Sequence, residues 1–89
     1  MPKLYEFRGY WIYFWLNENN ELVHIHATKG RPTENGTKIW ILKDGVKLEH
    51  NKSKIPINDL TKILSFIQAN AEEIVNQWES YLGYIKYHK

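Results

Sequence analysis

Two histidines separated by one residue, His24 and His26, are the side chains of this 89-residue chain best suited by type and spacing to chemistry. They lie in Leu22-Val23-His24-Ile25-His26-Ala27-Thr28, whose alternation of apolar and polar residues predicts a half-buried β-strand. Successive side chains of a strand leave opposite faces. Both imidazoles therefore share one face, roughly 7 Å apart, while Val23, Ile25 and Ala27 take the other. Such a pair can ligate a metal, exchange protons with reacting oxygens, or touch phosphate. A metal site would need a third ligand. His50 falls on the opposite parity of its own strand unless a bulge intervenes, and Glu34 and Glu49 show no ligand spacing. As general base and acid, His24 and His26 would make a metal-independent ribonuclease, with Lys29, Arg31 or Lys38 stabilising the charge that develops on the phosphate oxygens.

Binding demands less of the sequence than catalysis. Trp40 and a first-strand aromatic can stack on bases or pack on a partner, while Lys29, Arg31 and Lys38 meet phosphate or acidic side chains. The formal net charge is only +2, from twelve Lys and Arg against ten Asp and Glu, which is too small an excess to point to duplex DNA. A cognate small protein or a second copy of the chain is the expected partner, with RNA the other class that the pattern admits. Lys47, Lys52 and Lys54, and the terminal Lys86, His88 and Lys89, read as a solvated rim. No cofactor and no metal are expected, and the residues alone leave a pure binding module and an enzyme both open.

The chain has no cysteine, so disulfides, thiol catalysis and cysteine-ligated zinc are excluded. No apolar run approaches the ~18 residues of a membrane span, and Met1 to Glu6 lack the apolar core of a secretory signal, so a cytoplasmic location and no membrane partner are expected. Aromatic residues make up 15% of the chain, and seven of them crowd between Tyr5 and Trp15. Large rings are an efficient way to fill the core of so short a domain, and core filling is the expected role of Tyr13, Phe14 and Trp78.

These residues need a sheet to position them. Tyr10 to Leu16 reads as a strand that enters a turn at Asn17-Glu18-Asn19-Asn20, with a further pairing near Phe7 before Gly9. A second strand runs from about Leu22 to Lys29, a loop from Gly30 to Gly36, a third strand from Thr37 to Lys43, a tight turn at Asp44-Gly45, and a short fourth strand from Val46 to Glu49. After Pro56 the apolar period becomes helical. Leu60, Ile63, Leu64 and Ile67 form one stripe behind an Asn58 cap; Ile74, Val75, Trp78, Tyr81 and Leu82 form another behind an Asn70/Glu73 capping box, ended by Gly83. Tyr84 to Lys89 reads as a short strand or a frayed end. The pattern is that of one α+β domain over residues 1–89: an antiparallel meander of about four strands (about 5–50), covered on one face by two C-terminal helices (about 58–82). Parity puts Val23, Ile25, Ala27, Ile39, Ile41, Val46 and Leu48 beneath the helices, and His24, His26, Lys38, Trp40 and Lys47 on the open face. One set of first-strand residues, Tyr10/Ile12/Phe14 or Trp11/Tyr13/Trp15, must join them there, and a shallow surface with Trp40 close to the histidines is expected.

The run from Gly9 to Leu16, the His-Ile-His strand, Lys38-Ile39-Trp40 and the segment from Asn70 to Trp78 together resemble a prokaryotic family of small proteins classed only as a domain of unknown function. Its members show an aromatic strand, a His-x-His-Val segment and two C-terminal helices with a Glu-x-x-x-x-Trp pattern. Here Ala27 stands where Val is common, and Asn20-Glu21-Leu22 replaces a proline-rich lead. The resemblance implies a gene often paired with a second small gene in toxin-antitoxin-like arrangements, and hence a regulatory role toward a partner protein or RNA. It implies no particular reaction.

Overall fold

A computed structural model of the chain describes residues 3–16 and 21–88. Five strands, β1 (Lys3–Phe7), β2 (Tyr10–Tyr13), β3 (His24–Lys29), β4 (Thr37–Leu42) and β5 (Gly45–His50), form one antiparallel meander in chain order, followed by α1 (Ile57–Ala69) and α2 (Ala71–Leu82). The pairing near Phe7 is a full strand. Its hairpin turns at Arg8 and Gly9, with φ of 54° and 84°, the two positive values that a tight turn needs to match the twist of its strands. The expected turn at residues 17–20 lies outside the described residues. Between β4 and β5 the turn falls at Lys43 and Asp44, so that Gly45 opens β5 opposite Leu42.

Alternation selects the face that the helices cover. Tyr10, Ile12 and Phe14, then Val23, Ile25 and Ala27, then Ile39 and Ile41 pack with Leu60, Ile63, Ile67, Ile74 and Trp78 in one core, all of them buried. Val46, Leu48 and Leu64 complete it at half burial. The first-strand set left on the opposite face is therefore Trp11, Tyr13 and Trp15.

Both expected helix caps differ from the structure. α1 begins after Pro56, whose φ of −56° and ψ of 145° lead an extended chain into the helix, so Asn58 lies inside the first turn and caps nothing. Asp59 is the functional end of that turn: it accepts the Tyr10 hydroxyl at 2.7 Å and lies 3.6 Å from the Arg8 guanidinium. Asn70 is nearly helical (φ −112°, ψ 15°), and its side-chain amide donates back to the Phe66 carbonyl at 2.8 Å instead of capping α2. Glu73, freed from a capping box, accepts the Tyr5 hydroxyl and ties α2 to β1. Gly83 ends α2 at φ 82°, the left-handed conformation that a glycine enters without penalty.

Residues 84–88 have no regular secondary structure, yet they are fastened. The Tyr84 hydroxyl donates to the Glu21 carbonyl at 2.9 Å, and the Val23 amide donates to the Lys86 carbonyl at 2.7 Å. No described helix is long and apolar enough to cross a membrane.

Ile25 is fully buried at the centre of the sheet, whereas Tyr81 on the second helical stripe is 53% exposed. Ile25→Ala is expected to cost about 2–5 kcal/mol in urea unfolding and Tyr81→Ala no more than about 1 kcal/mol. Equal costs would contradict the packing described.

Candidate functional site

The face away from the helices is closed largely by its own rings. Tyr13, paired with His26 in the β2–β3 ladder, stacks on that imidazole with centroids 5.5 Å apart and planes 27° apart. Its hydroxyl continues across the sheet and donates to the Thr33 carbonyl at 3.2 Å. Gly36 makes this possible, because a Cβ at that position would overlap the Tyr13 hydroxyl and press on His26 and Thr28. Trp15 meets the edge of Tyr13 at 5.4 Å. Tyr13 is consequently buried, as are Phe14 and Trp78.

His24 and His26 do share a face, with ring centroids 5.0 Å apart, but they lie at different depths. His26 is half-buried, whereas His24 is only 1% exposed, so the shallow surface expected to carry both rings holds only one. The cause is local. The β2 ladder ends at Tyr13 opposite His26, and beyond it Trp78 from α2 packs against His24 at 5.3 Å while Trp40 packs from β4 at 5.5 Å. Nδ1 of His24 lies 2.7 Å from the Leu22 carbonyl, which fits an N–H donor at that nitrogen.

Trp40 is close to the histidines, as expected, but only 8% exposed. His88 from the C-terminal segment stacks on it at 4.8 Å, the Lys38 ammonium lies 4.4 Å from its ring centre, and its indole N–H donates to Glu49 at 2.8 Å. That hydrogen bond, aided by the nearby Lys38 cation, holds the Glu49 carboxyl below its usual range.

A bulge in β5 changes the membership of the face. Leu48 pairs with Ile39 but His50 pairs with Lys38, so Glu49 is the extra residue and His50 turns to the side of Lys38. The parity that kept His50 from the other histidines is thereby reversed. His26, Lys38 and His50 form a single cross-strand row, since Lys38 also pairs with His26. Burial, followed by the charges of Lys52, His26 and Lys38, pushes the His50 pKa below the ordinary imidazole value. The Lys52 backbone N–H lies 3.4 Å from His50 Nδ1. Among the described residues no three His, Cys, Asp or Glu side chains converge on a point that could hold a metal ion.

The remaining predicted binding residues separate. Lys29 lies toward the helix side, its ammonium 5.0 Å from the Tyr10 ring centre. Arg31 is exposed on the β3–β4 loop, where it and Lys29 border a hollow of about 200 Å³ also lined by Thr28, Thr33, Asn35 and Ser53. A larger hollow, about 530 Å³, lies between the β4–β5 turn and the C-terminal segment, away from the row. His50, Glu49, Trp78 and His88 are members of the face that sequence reasoning did not place there. Helical periodicity identified Trp78 only as core, and no pattern announced the bulge.

Residues 9–79 match the model of the family described as Domain of unknown function (DUF4160), and the chain belongs to that family. No curated protein and no solved structure matches it.

Two measurements test this geometry. Gly36→Ala is expected to cost about 1–3 kcal/mol in urea unfolding, because a methyl group there overlaps the Tyr13 hydroxyl. In a Tyr13→Phe background the same change should cost less; strict additivity would refute the contact. For His50, the folded pKa lies below the unfolded value near 6.5, so between the two the unfolded chain binds more protons and stability falls as pH falls. His50→Gln should therefore lose less stability than the parent on going from pH 7 to pH 5. An unchanged slope would refute the lowered pKa.

Proposed function

We propose that this domain binds single-stranded RNA on the sheet face opposite its helices. The observation that carries the reading is the His26–Lys38–His50 row, on the same face as the half-buried rings of Trp11 and Trp15. Unpaired bases stack on aromatic side chains irrespective of sequence, and a cation beside the ring meets the phosphate between them. Lys3 and Lys38 already lie 4.1 Å and 4.4 Å from the centres of Trp11 and Trp40. Charge is also segregated. Across the two helices Lys62 stands against Asp59, Glu72, Glu73 and Glu79, whereas the rest of the chain has eleven cations and six carboxylates. An anionic strand is thus drawn toward the sheet and loops, and Arg31 extends the basic rim beyond the row.

A small net charge suits a contact with few phosphates on a single strand better than a duplex footprint. The toxin-antitoxin-like setting implied by the resemblance would make this domain the half of a two-gene regulatory module that touches RNA.

Fluorescence anisotropy with a short labelled single-stranded RNA tests the proposal. Lys38→Gln and Trp11→Ala should each weaken binding about 5- to 100-fold, with a shallower salt dependence for Lys38→Gln alone. Absence of binding at micromolar protein in low salt, or binding that neither substitution alters, would overturn it.

A further inference from the structure

We infer that the row is also a metal-independent RNA-cleaving site, in which His26 and His50 flank a phosphodiester held by Lys38. The inference rests on the single-stranded RNA reading and adds a reaction to it. Adjacent strands lie about 4.8 Å apart, so the backbones of His26 and His50, two strands apart, are separated by roughly 10 Å, with Lys38 between them. Two imidazoles turned inward over that distance would bracket a phosphate, and the Lys38 ammonium, now 4.4 Å from the Trp40 ring centre, would swing back over its own cross-strand pair to meet the phosphate oxygens.

The reaction needs only groups of the row and of the RNA itself. One imidazole takes the proton of the ribose 2′-hydroxyl as the 2′-oxygen bonds to phosphorus. The bond from phosphorus to the 5′-oxygen of the next nucleotide breaks, and that oxygen takes a proton from the other imidazole. The products are a 2′,3′-cyclic phosphate and a 5′-hydroxyl, with no net oxidation and no co-reactant. The Lys38 ammonium stabilises the phosphorane-like transition state. Burial, then the charges of Lys52, His26 and Lys38, disfavour the protonated form of His50, which is therefore assigned the base, and His26 the acid. Among the described residues, the other groups facing these rings include Tyr13 and His24 around His26, and Glu49, which is hydrogen-bonded to the Trp40 indole, beside His50.

The bulge in β5 points to the same groups. Ile39 and Leu48 are the last core pair of β4 and β5, and the extra residue comes directly after them. Its first effect is to bring His50 to the side of Lys38 and His26.

The experiment uses a 5′-labelled single-stranded RNA in EDTA, with cleavage resolved on a gel and binding followed separately by anisotropy. Cleavage is expected, with cyclic-phosphate ends and no cut at a position carrying a 2′-deoxyribose. His26→Ala and His50→Ala, with His26→Gln and His50→Gln as gentler replacements, should each slow it at least about 100-fold. The loss of rate should exceed any loss of affinity at least about 10-fold, a split that a merely structural role would not give. The parent should show a bell-shaped pH–rate profile that loses one limb in His50→Gln. RNA that is bound but left intact overturns the cleavage inference and leaves the binding reading standing; RNA that is not bound overturns both. Cleavage that survives all four substitutions, or that EDTA abolishes, overturns the assignment to this row.

Discussion

Two helices can cover only one face of a five-stranded sheet, and this sheet has large rings on both. The face without helices must therefore bury its aromatic residues against one another. Tyr13 does most of this, lying over His26 and reaching past Gly36 to the Thr33 carbonyl, and Trp40 does the rest between His24 and His88. Ring pairs of this kind add about 0.5–1.5 kcal/mol each beyond the area they bury. The resulting layer is thin but ordered, and whatever chemistry the face performs is fixed in place by that packing.

Burial on this scale has a polar cost, and the side chains meet it unequally. His24 satisfies Nδ1 at the Leu22 carbonyl, and the Trp40 indole satisfies its N–H at Glu49. Trp78 does not: among the described residues its indole nitrogen is buried without a hydrogen-bond partner. An unsatisfied buried donor costs about 1–3 kcal/mol. The ring contacts that Trp78 makes with Phe14, His24 and Tyr84 are what the fold gains in return. A tryptophan at this helical position joins the core to the histidine face, which a purely structural stripe does not require.

Much of this arrangement is legible in the sequence, and the boundary of legibility has a physical cause. The alternation through Val23, Ile25 and Ala27, the helical stripes, and the Gly83 stop are set by local periodicity and local backbone preference, and the structure follows them. The sorting of Trp11/Tyr13/Trp15 from Tyr10/Ile12/Phe14 could not be read, because both parities are apolar and only the register against β3 decides. The caps differ for the same kind of reason. Asn58 and Asn70 have the right residue type, but Pro56 starts α1 earlier and Asn70 bonds backward to Phe66, choices made by the tertiary positions of Asp59 and Glu73. Depth was equally invisible. Alternation assigns His24 and His26 to one side, yet whether a ring on that side meets solvent depends on where β2 stops and where Trp78 arrives.

The His-x-His pattern therefore divides its labour between its two members. His24, enclosed by Trp40 and Trp78 and tied to Leu22, holds the end of β3 against the helical layer. His26, one pair further along, remains half-buried beside Lys38, with the His24 ring 5.0 Å from it and His50 across Lys38 on β5. The place of His50 depends on the bulge. A regular ladder over the same residues would pair Glu49 with Lys38 and turn His50 to the opposite face, while the inward pairs from Val46 to Leu48 would stay in register. The bulge is followed at once by Asn51, which accepts the Thr37 hydroxyl and bonds both backbone polar groups of the buried Ile55, so the end of β5 also serves the core. The consequence of the bulge for the open face is His50, brought beside Lys38 in the row.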